Sequence, residues 1–153
     1  MTKKDKELLT KDLSARLPYG VKVEIKYYDD AWELLAIYTN GTTYASRDVG
    51  YPIETYFEDC KPYLFPMSSM TEEQKKELLE LTGYEARCEE SCGFDSWGFY
   101  VNIVGDYKYE DGKQSIILYP DDIGIDWLNK NHFDYRGLIP KGLAVDATGK
   151  NIY

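Results

Sequence analysis

The sequence predicts an α+β fold: an antiparallel sheet of about five strands with three main helices packed on one face, in a single domain over residues 1–153. Three observations predict it. Near the start, a charged stretch with leucines at helical spacing is followed by three runs that alternate apolar and polar residues. Two later helical stretches open with capping sequences, at Thr71 and at Pro120-Asp121-Asp122. Hydrophobic residues at 43% and charged residues at 29% are globular proportions, and 153 residues suffice for a sizeable core.

From Thr2 to Arg16, Leu9, Leu13 and Leu17 recur every fourth residue, Leu8 widens the stripe and charges fill the other face, which predicts an amphipathic helix. Pro18 and Gly20 stop it. Val21, Val23, Ile25 and Tyr27 then alternate with Lys22, Glu24 and Lys26, the pattern of a half-buried strand, because successive strand side chains point to opposite faces. Asp29-Asp30 supplies a turn, Trp32 to Tyr38 a second strand, and Asn40-Gly41 a two-residue hairpin signal. Thr42 to Ser46 is the third strand.

Pro52 suits a first helical position, and Ile53, Tyr56, Phe57 and Cys60 share one helical face, so a short helix is expected there. Lys61 to Met67 cannot continue it, because Pro62 and Pro66 impose an extended path. Thr71-Glu72-Glu73-Gln74 is a capping box; its helix runs to about Thr82, buries Leu78, Leu79 and Leu81, and ends at Gly83. After an acidic, irregular stretch from Glu85 to Asp95, Trp97, Phe99, Val101 and Ile103 alternate in a fourth strand. Glu110-Asp111-Gly112 turns the chain into a fifth, Gln114 to Tyr119. The last helix runs from Pro120-Asp121-Asp122 to about Asn131 with Ile123, Trp127 and Leu128 inward, and Gly124 weakens it by about 1 kcal/mol. Phe133 to Tyr153 wraps as short turns.

Fifteen tyrosines stand against one histidine. Tyrosine joins a large apolar ring to a polar tip and suits sheets and interfaces, whereas histidine is the usual proton carrier and metal ligand. The chain is therefore stocked for packing and recognition more than for proton chemistry. Its net charge is −9, and residues 1–27 hold seven basic and four acidic side chains, +3, which leaves −12 for the remainder. That surface repels phosphate backbones and disfavours ordinary nucleic-acid binding; it suits a basic partner, or an inhibitor that mimics DNA. No apolar run approaches the ~20 residues that span a bilayer. No apolar segment follows the charged start, so no secretory signal is predicted, and Cys60, Cys88 and Cys92 are expected as reduced thiols in a cytoplasm.

Cys60, Cys88, Cys92 and His132 total a Cys₃His set, but structural zinc sites show two tight pairs, and no metal or cofactor is expected. Glu89 and Glu90 would raise the pKa of a nucleophilic Cys92 and oppose its thiolate. Asp122 and Asp126, four residues apart, are candidates for the paired carboxylates of a small hydrolase, although Asp121 and Asp122 are already explained by the helix N-terminus they stabilise. Arg136, in a tail dense in special residue types, is expected to pair with an acid and pin the tail. The remaining candidate is an interaction surface. Tyr63-Leu64-Phe65-Pro66-Met67 sets large apolar side chains on an extended segment whose neighbours cannot all face one core. Tyr63, Phe65 and Met67 are the candidate partner contacts, joined by Trp97 and Tyr100 if the open face of the sheet is used. The alternative for this tract is a strap across the sheet that buries alternate residues.

Three segments carry a resemblance: Asp12 to Lys22, Lys61 to Glu73, and Asp126 to Asn129 continuing through His132 to Ile139. They cover under half of the chain, and their wording resembles a family of small proteins encoded by gut anaerobic bacteria and their prophages, with no assigned function. The resemblance implies a bacterial or phage cytoplasmic setting and supplies no catalytic residue. The expectation is a non-catalytic protein-binding accessory module, with the carboxylate hydrolase and the acidic DNA mimic as alternatives.

Overall fold

Helix α1 (Lys3–Arg16) starts where its first turn is capped from both sides. The Asp5 amide donates to the Thr2 hydroxyl at 3.2 Å, and the Thr2 amide donates to the Asp5 carboxylate at 3.0 Å. A single 3₁₀ turn, Leu17–Tyr19, follows, and Gly20 ends it in the left-handed conformation, φ 65°. The computed structural model describes residues 1–47, 50–82, 94–95, 98–99, 101–103, 116–118 and 122–153. It forms two units, one of Met1–Phe65 with Gly137–Tyr153 and one of Pro66–Arg136.

The first unit holds a six-stranded sheet built from β1 (Lys22–Ile25), β2 (Ala31–Ile37), β3 (Thr42–Ser46), β4 (Ile53–Tyr56), β5 (Cys60–Leu64) and a late short strand, Val145–Asp146. The late strand lies at one edge beside β5; β1, β2 and β3 follow, and β4 closes the other edge. Every pairing is antiparallel except the one between β5 and Val145–Asp146, so the sheet is mixed and has one strand more than expected. Leu9, Leu13, Val21, Val23, Ile25, Trp32, Leu34, Ala45, Cys60, Leu64, Leu138 and Ala144 form one buried cluster, which joins α1 to the inner face of the sheet. Burial of this apolar surface supplies the main driving force of the unit.

Two expectations in this unit are corrected, the short helix after Pro52 and the two-residue hairpin loop, while the extended path expected of the proline-rich tract is present as a strand. Residues 53–56 form an edge strand and Phe57–Asp59 a 3₁₀ turn, in place of a short helix. The edge of β3 takes up this segment, and the alternation of Ile53 and Thr55 with Glu54 and Tyr56 serves a strand as well as the helical spacing serves a helix. The proline-rich tract is an interior strand, with Pro62 opposite Val23. Lys26 donates to Asp59 across this ladder, so hydrogen-bonded pairs alternate and Pro62 falls at a position that owes β1 no donor. The hairpin between β2 and β3 has a three-residue loop, Thr39 to Gly41, closed by the Tyr38 amide on the Thr42 carbonyl at 2.8 Å. Gly41 has φ 88°, and a Cβ there would meet the Phe57 ring at 3.1 Å.

Cys60 pairs with Ile25 on β1, yet its sulfur lies 3.7 Å from the Thr43 hydroxyl of β3 and donates to the Tyr56 carbonyl of β4 at 3.5 Å.

In the second unit, α2 (Glu72–Thr82) opens with the expected capping box: the Thr71 amide donates to Gln74 Oε1 at 2.9 Å and the Gln74 amide to Thr71 Oγ1 at 3.2 Å. Leu78 is buried as expected, but Leu81 is exposed, and the side chain of Leu79 lies outside the described residues. Short strands β6 (Phe94–Asp95) and β7 (Gly98–Phe99) pair with each other, as do β8 (Val101–Ile103) and β9 (Ile116–Leu118). Among the described residues, the expected fourth and fifth strands thus meet as β8 and β9, in a ladder separate from the six-stranded sheet. Helix α3 (Asp122–Lys130) buries Trp127 and Leu128, whereas Ile123 is exposed, against expectation. The late strand Val145–Asp146, hereafter β10, replaces the turns expected near the end of the tail.

Candidate functional site

The pairing register of the first unit fixes which side chains share its outer face. Ala36, Tyr44 and Glu54 lie in one row across β2, β3 and β4. One step along, the Tyr38–Thr42 hydrogen bond and the Thr42–Tyr56 pairing set Tyr38, Thr42 and Tyr56 in the next row on the same face. Large and small residues alternate over these two rows. Thr42 is a small floor, 9% exposed, flanked by Tyr38 and Tyr56 at 55% and 60% exposure. The Tyr38 and Tyr44 rings meet edge to face with centroids 5.6 Å apart. The Tyr44 hydroxyl donates to Glu54 at 3.0 Å, and this bond to a carboxylate raises the Tyr44 pKa above its ordinary value. Leu35, at the irregularity between Leu34 and Ala36, adds an exposed aliphatic group. The result is an aromatic surface with one carboxylate at its margin.

Of the residues singled out from the sequence, none that the structure describes belongs to these two rows. Tyr63 is buried in β5, and Phe65 packs its ring 6.0 Å from that of Tyr153. Met67, in a 3₁₀ turn of the second unit, is half-buried. Trp97 and Tyr100 lie outside the described residues. Asp122 and Asp126 are both exposed on α3. Cys60 sits in the apolar core, where burial pushes its thiol up to about 11, so it stays protonated near neutral pH. Cys88 and Cys92 lie outside the described residues, and among the described residues no group of three His, Cys, Asp or Glu side chains is placed to hold a metal ion.

His132 has a structural duty. It adopts the left-handed conformation, φ 56°, at the end of α3. Its amide donates to Asn129 at 3.1 Å and the Phe133 amide to Leu128 at 3.0 Å, the paired bonds that close a helix where glycine is usual. Phe133 stacks on Trp127 with centroids 5.7 Å apart, the Tyr135 hydroxyl donates to Asn129 at 2.9 Å, and the Arg136 guanidinium covers the Tyr135 ring at 4.3 Å.

Tyr153 holds a position that no sequence pattern announces. Continuing the β1–β5 register would pair Lys22 directly with Tyr63. Instead the Lys22 amide donates to the Tyr153 hydroxyl at 3.2 Å, and that hydroxyl donates to the Tyr63 carbonyl at 2.8 Å. A side-chain hydroxyl thus completes the ladder as a bridging water would.

No model of a protein family matches the chain, and neither curated proteins nor solved structures provide a match.

Proposed function

We propose that this chain is a non-catalytic protein-binding module that meets its partner on the open aromatic face of the six-stranded sheet. The observation that carries the reading is the joint exposure of Tyr38 and Tyr56 on one face with Tyr44 and near Leu35. A folded chain that leaves large rings in water beside one another forgoes burial that its own core could have used, and such rings are common anchors at protein interfaces. The contact set therefore moves from Tyr63, which serves the sheet, to Tyr38, Tyr44 and Tyr56. Among the described residues no helix is long and apolar enough to cross a membrane. The family resemblance adds an accessory role in a bacterial or phage cytoplasm to the same proposal.

The test is a tagged chain incubated with host lysate, alongside Tyr38→Ala/Tyr56→Ala, with thermal unfolding recorded for both. The expected result is a discrete captured protein whose recovery falls about tenfold or more in the variant, as anchor residues worth over 1 kcal/mol each require. Unfolding of the variant should remain cooperative, because both rings are exposed. Capture that is indifferent to the two tyrosines would reject this face as the interface.

A further inference from the structure

We propose that the slot over Thr42, bounded by Tyr38, Tyr44 and Tyr56 with Glu54 at its margin, is a receptor for a lysine or arginine side chain presented by the partner. This rests on the protein-binding reading and specifies its chemistry. Ring faces carry negative potential and attract cations, most strongly where several rings converge on one point. The checkerboard of the two rows gathers three rings around one small residue: Thr42 is the low point, a tyrosine stands on either side of it in its own row, and a third stands one pleat along β3. Tyr44 donates its O–H to the Glu54 carboxylate, which increases electron density in that ring, and the carboxylate itself faces the site as a counter-charge.

Elsewhere the chain already covers rings with its own cations. Lys26 lies 4.8 Å above Tyr27, Arg47 lies 4.7 Å above Trp32, and Arg136 covers Tyr135. Among the described residues none covers Tyr38, Tyr44 or Tyr56, and Glu54 has no ion-pair partner. The site is therefore complementary to a cation that the described chain does not supply. Its openness selects a side chain over a free small ammonium ion. A free ion needs enclosure to be held, whereas a side chain arrives with a polypeptide that can also cover Leu35 and the outer edges of the rings. The net charge of −9 over the whole chain favours the approach of a basic partner, and Glu54 supplies the counter-charge at the face itself.

The test is an NMR titration of the isotopically labelled full chain with a short glycine–serine peptide containing one lysine, and with the same peptide carrying acetyl-lysine. The lysine peptide should shift the Tyr38, Tyr44 and Tyr56 ring signals and the Thr42 and Glu54 amides, and bind about fivefold or more tightly than the acetylated one. Glu54→Gln should weaken binding about threefold, Tyr56→Ala about fivefold, and Tyr56→Phe little, because phenylalanine keeps the ring. Equal binding of both peptides, shifts confined to other surfaces, or no shift at millimolar peptide would each overturn the assignment. Failure here with tyrosine-dependent partner capture intact removes only the cation. Loss of tyrosine dependence in capture removes the protein-binding reading itself.

Discussion

Asp12 and Arg16 are both fully buried, one helical turn apart on α1, with Nε on Oδ2 at 2.8 Å and Nη2 on Oδ1 at 3.1 Å. Two charges taken out of water are tolerated because each supplies the other with a bidentate partner. Arg16→Met should therefore cost about 3–5 kcal/mol, since it takes the guanidinium away from a buried carboxylate, whereas Asp12→Leu/Arg16→Met should cost less than the single change. Denaturant titration of the parent and both variants checks this, and a double variant as unstable as the single one would contradict it. The pair was half legible. Leu9, Asp12, Leu13 and Arg16 follow the 3–4 spacing of one helical stripe, but hydropathy assigned the charged members to solvent. Charge identity does not announce pairing; only the tertiary environment shows that the two sit under the sheet's core.

At the scale of elements, the sheet depends on contacts from distant parts of the chain. Tyr153 bridges β1 and β5, and the hydroxyl, sunk between the strands, keeps its proton more firmly than a free phenol because burial penalises the phenolate. Tyr153→Phe keeps the ring against Phe65 but leaves the Lys22 donor and the Tyr63 acceptor without their bridge, a loss of about 1–2 kcal/mol. Hydrogen exchange checks it: the Lys22 amide should exchange faster in the variant while the interior of β2 stays protected. An unchanged Lys22 rate would show that the strands close directly when the wedge is gone. The expected hairpin at Asn40-Gly41 is present with one extra loop residue, because Gly41 supplies the left-handed position while the Asn40 side chain accepts from the Thr42 amide at 3.0 Å. The segment from Pro52 to Cys60 misled for a definite reason. Its apolar residues fit a helical face, and the decision fell to the free edge of β3.

Over the whole molecule, charge and recognition are distributed unequally. The first unit carries eleven basic and twelve acidic residues, a net −1, and the second seven and fifteen, a net −8. The aromatic face therefore belongs to the nearly neutral unit. In the alkaline range three buried groups of that unit hold their protons more tightly in the native state than in the unfolded chain: burial raises Cys60 from 9.0 to about 11, and it raises Tyr63 and Tyr153 as well. Below pH 9 both states hold the thiol proton and the stabilisation is complete; as pH rises from about 9 to about 11 the unfolded chain deprotonates first and stability falls, by roughly 2–3 kcal/mol from Cys60. Denaturant midpoints across this range should decline, and decline less in Cys60→Ala; identical slopes would refute the assignment. By itself the sequence determined the α+β class, α1, the first three strands, the capping box of α2 and the inward Trp127 and Leu128 of α3, because period, caps and turn residues are local properties. Tertiary structure alone decided the strand identity of β4 and β5, the parallel β10, the buried ion pair, the Tyr153 bridge and the gathering of Tyr38, Tyr44 and Tyr56. Each of these depends on register, and register couples residues far apart in the chain that no local pattern relates.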